Sequence, residues 1–268
     1  MNEFYNSNND NADRPKGVND ILEEQIETAI HEYKRSNKRL FVSAVSAGLE
    51  IGFSIFLMGV LFTLFDGTVS DEILHVLISL AYPIGFIFVI IGRSELFTEH
   101  TTLAILPVLN KNISIKSLFI LWGIILLGNL IGGYIIGAIL TYFAPEIGII
   151  SNEAFTHLAH KVLDIPLQMI LISAVIAGWL MGLLSWLVAS SQETISRLFM
   201  IILVTATIGI GGLHHSIVGS IEVFSGLLID PNIGITDYLC FEAVSILGNA
   251  IGGVFFVGII KYGQRRAL

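Results

Sequence analysis

Two short polar stretches in an otherwise apolar chain hold the residues able to do chemistry. The first, Gly92-Arg93-Ser94-Glu95-Leu96-Phe97-Thr98-Glu99-His100-Thr101, offers an imidazole, two carboxylates, a guanidinium and hydroxyls. The second, Gly211-Gly212-Leu213-His214-His215-Ser216, offers two adjacent imidazoles in a glycine-flanked break. Imidazole changes charge near neutral pH, so His215 is a candidate to hydrogen-bond a substrate and to donate or relay a proton, with the Thr98 hydroxyl as a second donor. A small carboxylate crossing an apolar constriction carries a large desolvation cost, most of which vanishes once it takes a proton. His214, His215, His100 and Glu95 are also metal-ligating types. Adjacent residues on a regular helix point about 100° apart, however, and the chain has no His-x-x-x-His spacing. Its single cysteine, Cys240, excludes an internal disulfide and a cysteine-based cluster. No metal and no cofactor are expected.

The elements that must position these groups follow from composition. Of 268 residues 54% are hydrophobic and 13% charged, about half the charge of a soluble domain, which points to an integral membrane protein. The formal net charge of −8 gives no footing for a nucleic-acid partner. Six stretches are long and apolar enough to cross about 30 Å of hydrocarbon: 40–65, 73–92, 117–143, 165–190, 199–212 with a continuation to 229, and 238–260. Residues 1–19 read as a disordered Asn/Asp-rich tail. Over 20–39, Ile21, Ile26, Ala29, Ile30 and Tyr33 recur at helical spacing among charges, which predicts an amphipathic interfacial helix on the membrane face. Residues 40–262 form the transmembrane domain and 263–268 a short C-terminal tail. The polar N-terminus has no apolar h-region, so no cleavable leader is expected.

Cations set the orientation. Arg14, Lys16, Lys34, Arg35, Lys38, Arg39, Arg93, Lys111, Lys116, Arg197, Lys261, Arg265 and Arg266 fall on one side of six spans, against Lys161 alone on the other. The positive-inside rule then places both termini in the cytoplasm of a multi-pass cell-membrane protein. Glu50, in the middle of the first span, is costly to bury; it is either protonated and hydrogen-bonded between helices or a proton-coupling site. Arg93 and Glu95 are expected to form a structural ion pair, because buried charges are paired.

The chain also matches itself. Leu127-Gly128-Asn129-Leu130-Ile131-Gly132-Gly133 recurs as Leu247-Gly248-Asn249-Ala250-Ile251-Gly252-Gly253, with three spans between the copies. An odd number of crossings reverses direction, so the expected architecture is an all-α membrane protein with an inverted 3+3 repeat. Close helix packing alone would explain the glycines but not the matched positions. Each half has one broken helix, and such breaks mark a substrate path. Asn129 and Asn249, with Gly128 and Gly248, are expected to support the breaks. The resumed pieces, 102–109 and about 221–229, should point positive N-termini at the centre, capped by Thr101 or Thr102 and by Ser220, which favours a small anion there.

These residues together resemble the formate/nitrite transporters, homopentameric membrane proteins with an aquaporin-like protomer and a pore through each subunit. The resemblance covers about residues 40–262 and rests on Glu95-Leu96-Phe97-Thr98, His215-Ser216-Ile217 and the two Gly-Asn-x-x-Gly-Gly elements; it looks most like the YfdC-like branch. It implies that His215 is the central pore histidine and Thr98 the threonine of the mobile loop. Tyr82, Phe86 and Leu96 on one side and Ile208 on the other would be constriction positions, and Lys161 the anion-attracting lysine. The pattern departs at His214, where the family carries glutamate, at Gly178 and Gly219, where it carries asparagine, and at Arg93, where it carries a small residue. Substrate identity and proton coupling are therefore open, and the fold is not.

The expected function is a channel or secondary transporter for small monovalent anions such as formate, nitrite or related monocarboxylates, pH-dependent, with protons and the lipid bilayer as partners and no catalysis. Alternatives are a pore for water, glycerol or another neutral solute, a histidine-metal membrane enzyme, and a non-transporting sensor of the same fold.

Overall fold

The computed structural model describes residues 15–263. The expected tails therefore fall mostly outside the described residues, at 1–14 and 264–268, and with them Arg14, Arg265 and Arg266. Among the described residues every regular element is a helix: α1 (Val18–Lys34), α2 (Asn37–Phe65), α3 (Asp71–Ala81), α4 (Pro83–Gly92), α5 (Phe97–Leu103), α6 (Ile105–Leu109), α7 (Ile115–Glu146), α8 (Asn152–Leu163), α9 (Leu167–Ser190), α10 (Thr194–Ile210), α11 (Ser216–Ile229) and α12 (Ile235–Val254), the last running on as a π-turn, Phe255–Lys261.

Among the described residues, four helical stretches are long and apolar enough to cross a membrane: Asn37–Phe65, Asp71–Gly92, Ile115–Glu146 and Leu167–Ser190, with Thr194–Ile210 and Ser216–Ile229 as shorter apolar helices. The second of these is α3 and α4 joined at Tyr82, where Pro83 opens α4. Proline has no N–H to give the preceding turn, so the helix is divided there. The freed polar groups are met from α2: the Ser54 hydroxyl donates to the Tyr82 carbonyl at 2.6 Å and accepts the Gly85 N–H at 2.9 Å.

Two helix pairs form the frame, α2 with α7 and α9 with α12. Both are close because glycine lines the contact. A Cβ at Gly128 would lie 2.5 Å from the Cβ of Ala44, and one at Gly248 would lie 2.5 Å from the Cβ of Ala174. Small residues let backbones approach where lipid supplies no hydrophobic drive between helices. Gly178 belongs to this seam: a Cβ there would collide with the Asn249 carbonyl. The position that the resemblance gives to a pore-side asparagine is thus a packing position with no room for one.

α1 and α8 cap opposite ends of α2. The amphipathic stripe of α1 packs on protein: Ile21, Leu22 and Ile26 are buried against Leu106, Trp186 and Phe256. The Tyr33 hydroxyl also donates to the Ala104 carbonyl at 2.8 Å. The helix ends at Lys34, and Lys38 and Arg39, expected in it, lie in the first turn of α2. At the far end, the Ser151 N–H at the start of α8 donates to Thr63 Oγ at 2.9 Å, and Phe155 and Ala159 pack on α2 and α11.

Candidate functional site

Both breaks are shorter than expected, because the resumed helices start at Phe97 and Ser216 rather than near 102 and 221. Thr101, Thr102 and Ser220 therefore sit inside helices and do not cap them. The caps come from distant asparagines. Asn129 Oδ1 accepts the Phe97 N–H at 2.8 Å while its amide donates to the carbonyls of Ala44 and Glu95, both at 2.8 Å. Asn249 Oδ1 accepts the Ser216 N–H at 2.8 Å while its amide donates to Ala174 O at 2.8 Å and His214 O at 2.9 Å. One buried amide thus satisfies three backbone groups at each break, groups that hydrocarbon could not solvate.

The two helix starts bring their cap residues, Leu96 and His215, to the middle of the molecule, both buried. His215 Nδ1 accepts the Val218 N–H at 3.3 Å, and Nε2 lies 2.7 Å from Thr98 Oγ1. A backbone N–H can only donate, so the ring proton of neutral His215 belongs on Nε2, where it donates to Thr98. The Thr98 hydroxyl proton is then left for a third group. Phe86 meets the His215 ring edge-on at 5.1 Å and stacks on Tyr82 at 5.3 Å. Phe86, Leu96, Thr98 and Ile208 are all fully buried.

One cavity abuts this plug and a second lies at the first break. On the α8 side, a cavity of about 320 Å³ is lined by Tyr82, Ile208, His214, His215, Lys161 and Glu222 among others. His214 Nδ1 accepts from the Ser173 hydroxyl at 2.8 Å and Nε2 donates to Val162 O at 3.2 Å, so both ring nitrogens are used by the wall. Lys161, on α8, is half-buried there; burial pulls its ammonium below the usual lysine range and the Glu222 carboxylate works the other way.

On the α1 side, a cavity of about 670 Å³ lies between α1 and the first break, lined by Arg35, Arg93, Glu95, Glu99, His100 and Arg197 among others. Here the expected Arg93–Glu95 pair is not formed. Arg93 is exposed with φ 61, a left-handed conformation that turns it away as the C-cap of α4, and Glu95 is instead ion-paired to Arg35 and to His100. Arg35 is held in turn by Glu32 at 2.5 Å. Glu50 reaches the same break from α2, where its Oε1 accepts hydroxyls from Ser46 at 2.8 Å and Ser94 at 3.0 Å. No group of three His, Cys, Asp or Glu able to hold a metal occurs among the described residues.

Sequence reasoning passed over Glu222 on α11 and Glu242 on α12, both buried, the latter beside Ser220. The rule that singled out Glu50, an acid inside an apolar span, would have found them.

Residues 19–263 match the formate/nitrite transporter family. The chain is 31% identical over 238 residues to the inner membrane protein YfdC of Escherichia coli strain K12, covering 88% of this chain and 74% of that protein. Its fold matches a solved FNT family ion channel with a TM-score of 0.80 at 21% identity, covering 93% of this chain and 99% of the other. It also matches a pentameric formate channel with formate bound, with a TM-score of 0.72 at 22% identity, covering 86% and 98%.

Proposed function

The chain belongs to the formate/nitrite transporter family, and from that premise we propose that it is a pentameric channel or secondary transporter for small monovalent anions, one path per protomer. The observation carrying this reading is the plug at the end of the α8-side cavity, at which Thr98 and His215 meet on two converging helix starts. Six crossings in an inverted 3+3 repeat over residues 40–262 are supported by the matched amide bonds of Asn129 and Asn249. The excess of cations around α1 and the two–three connection supports cytoplasmic termini in the cell membrane.

In this reading Lys161 draws an anion into the α8-side cavity. The anion then passes Tyr82, Phe86 and Ile208 to the plug, where the free Thr98 proton and His215 Nε2–H donate to it in place of water. Cationic His215 would turn Nδ1 into a donor facing the Val218 N–H and lose that bond. The charge is therefore held only in passing, which suits a relay that hands its proton to the weak-acid anion and lets it cross the apolar plug as a neutral acid.

The test is flux in proteoliposomes of formate, nitrite, acetate, lactate, hydrosulfide and glycerol, with and without an inward proton gradient. Anion uptake accelerated by the gradient is the expected result. Glycerol movement alone, or flux indifferent to pH, would favour a neutral-solute pore and sink the proposal.

A further inference from the structure

The α8-side cavity holds an acid where an anion path has no need of one. Glu222 is 5% exposed, lines that cavity beside Lys161, and makes no hydrogen bond or ion pair among the described residues. The same cavity is lined by Lys161 and by the constriction residues Tyr82 and Ile208. A carboxylate in such a place needs donors, and its own walls supply none. When ionised it offsets the charge that Lys161 brings, so a bare monoanion entering the cavity is attracted at one point and repelled at another.

From this geometry, and resting on the anion-transport reading above, we infer that Glu222 is a specificity-determining residue, and that with Lys161 it forms a two-point site for small 2-hydroxy acids. The carboxylate of such an acid sits on Lys161 and its hydroxyl donates to Glu222, which converts the repulsion into a charge-assisted hydrogen bond. A cavity of about 320 Å³ takes a molecule of five or six heavy atoms with room for its water.

Isosteric pairs isolate the hydroxyl: glycolate against propionate, and lactate against isobutyrate. In proteoliposomes at fixed pH, the wild type is expected to move the hydroxy member of each pair about tenfold faster, the size set by one buried hydrogen bond to a charged group. Glu222→Leu brings both ratios to about one, while Glu222→Gln, which keeps an acceptor and loses the charge, falls between. A wild type with no hydroxy preference overturns the inference. So do Glu222 variants that raise all anions equally at an unchanged ratio, which would make the residue only a counter-ion for Lys161. Formate and nitrite run alongside separate the two levels: their flux without a hydroxy preference removes this inference alone, whereas no anion flux at all removes the transport reading and this with it. Should the variants fail to assemble, thermal unfolding of the purified wild type decides the matter. Glycolate is expected to raise Tm more than propionate does, and equal shifts overturn the inference.

Discussion

The two breaks share a scaffold and differ in chemistry. At Leu96 and at His215 the chain leaves the helix for a few residues, and in both places a single asparagine on the neighbouring glycine-rich helix takes the first N–H and two carbonyls at nearly equal distances. Around that common frame the first break gathers charge, with Glu95 paired to Arg35 and His100. The second places two imidazoles whose ring nitrogens meet only neutral groups. What the two breaks share is what a membrane interior demands of any broken helix, that no backbone group be orphaned. What diverged is what each cavity does. The charged break anchors α1, and the neutral one faces the α8-side cavity.

The sharpest way to break this comparison is to remove the shared part. Asn129→Ala and Asn249→Ala should each orphan two buried backbone groups at the break, an N–H and a carbonyl, a loss of about 2 to 6 kcal/mol, and both should abolish assembly as judged by size-exclusion chromatography in detergent. Normal assembly of one variant alone would show that the two breaks are not equivalent frames. A smaller effect is expected from the part that differs. Arg35→Met leaves Glu95 with His100 only and should weaken the docking of α1 by about 2 kcal/mol, seen as faster hydrogen exchange over 18–34 with α11 unaffected. Unchanged exchange in α1 would mean that Ile21, Leu22 and Ile26 hold the helix unaided.

The smallest expected effect contrasts the two capping helices. α1 is pinned by a guanidinium, which keeps its charge at any pH used. α8 is tied at its C-terminal end by His160, whose ring nitrogens reach Asp164 at 3.1 Å and Asp230 at 3.0 Å; the Asp164 and Asp230 carboxylates raise it above the ordinary histidine range. Asp230 is lowered by the Asn232 N–H and by His160. A raised histidine stabilises fully below its unfolded value and stops as pH rises through its folded value; a lowered aspartate stabilises above its unfolded value and stops as pH falls through its folded one. The tie is therefore complete between about pH 4 and 6.5 and loosens at alkaline pH. Exchange protection over 230–234 should drop between pH 6 and 9 and become flat in His160→Gln, while Arg35-dependent protection of α1 stays level over the same range.

Much of this was legible in the residues themselves. The heptapeptides at 127–133 and 247–253 gave away both asparagines, and the glycines and polar residues at 92–101 and 211–216 marked both breaks. The helix starts were misjudged because local capping rules look to Ser and Thr nearby, whereas the donors at Phe97 and Ser216 find acceptors 32 and 33 residues away. That buried charges pair is a sound rule, but it does not name the partner, and the one Glu95 takes, Arg35, is 60 residues away. The stripe of α1 was legible as amphipathic, but an apolar face cannot say whether it meets lipid or protein. Glu222 was hidden by its surroundings, one acid in a run of aliphatic residues, and only the cavity shared with Lys161 gives it meaning.

The central claim is that the imidazole at the plug passes a proton to the permeating anion. The most direct measurement is formate uptake by purified His215→Asn in proteoliposomes, with and without an inward proton gradient, after its assembly has been shown to match the wild type. The account predicts that the gradient's acceleration disappears while the variant stays assembled. An acceleration equal to that of the wild type would contradict it.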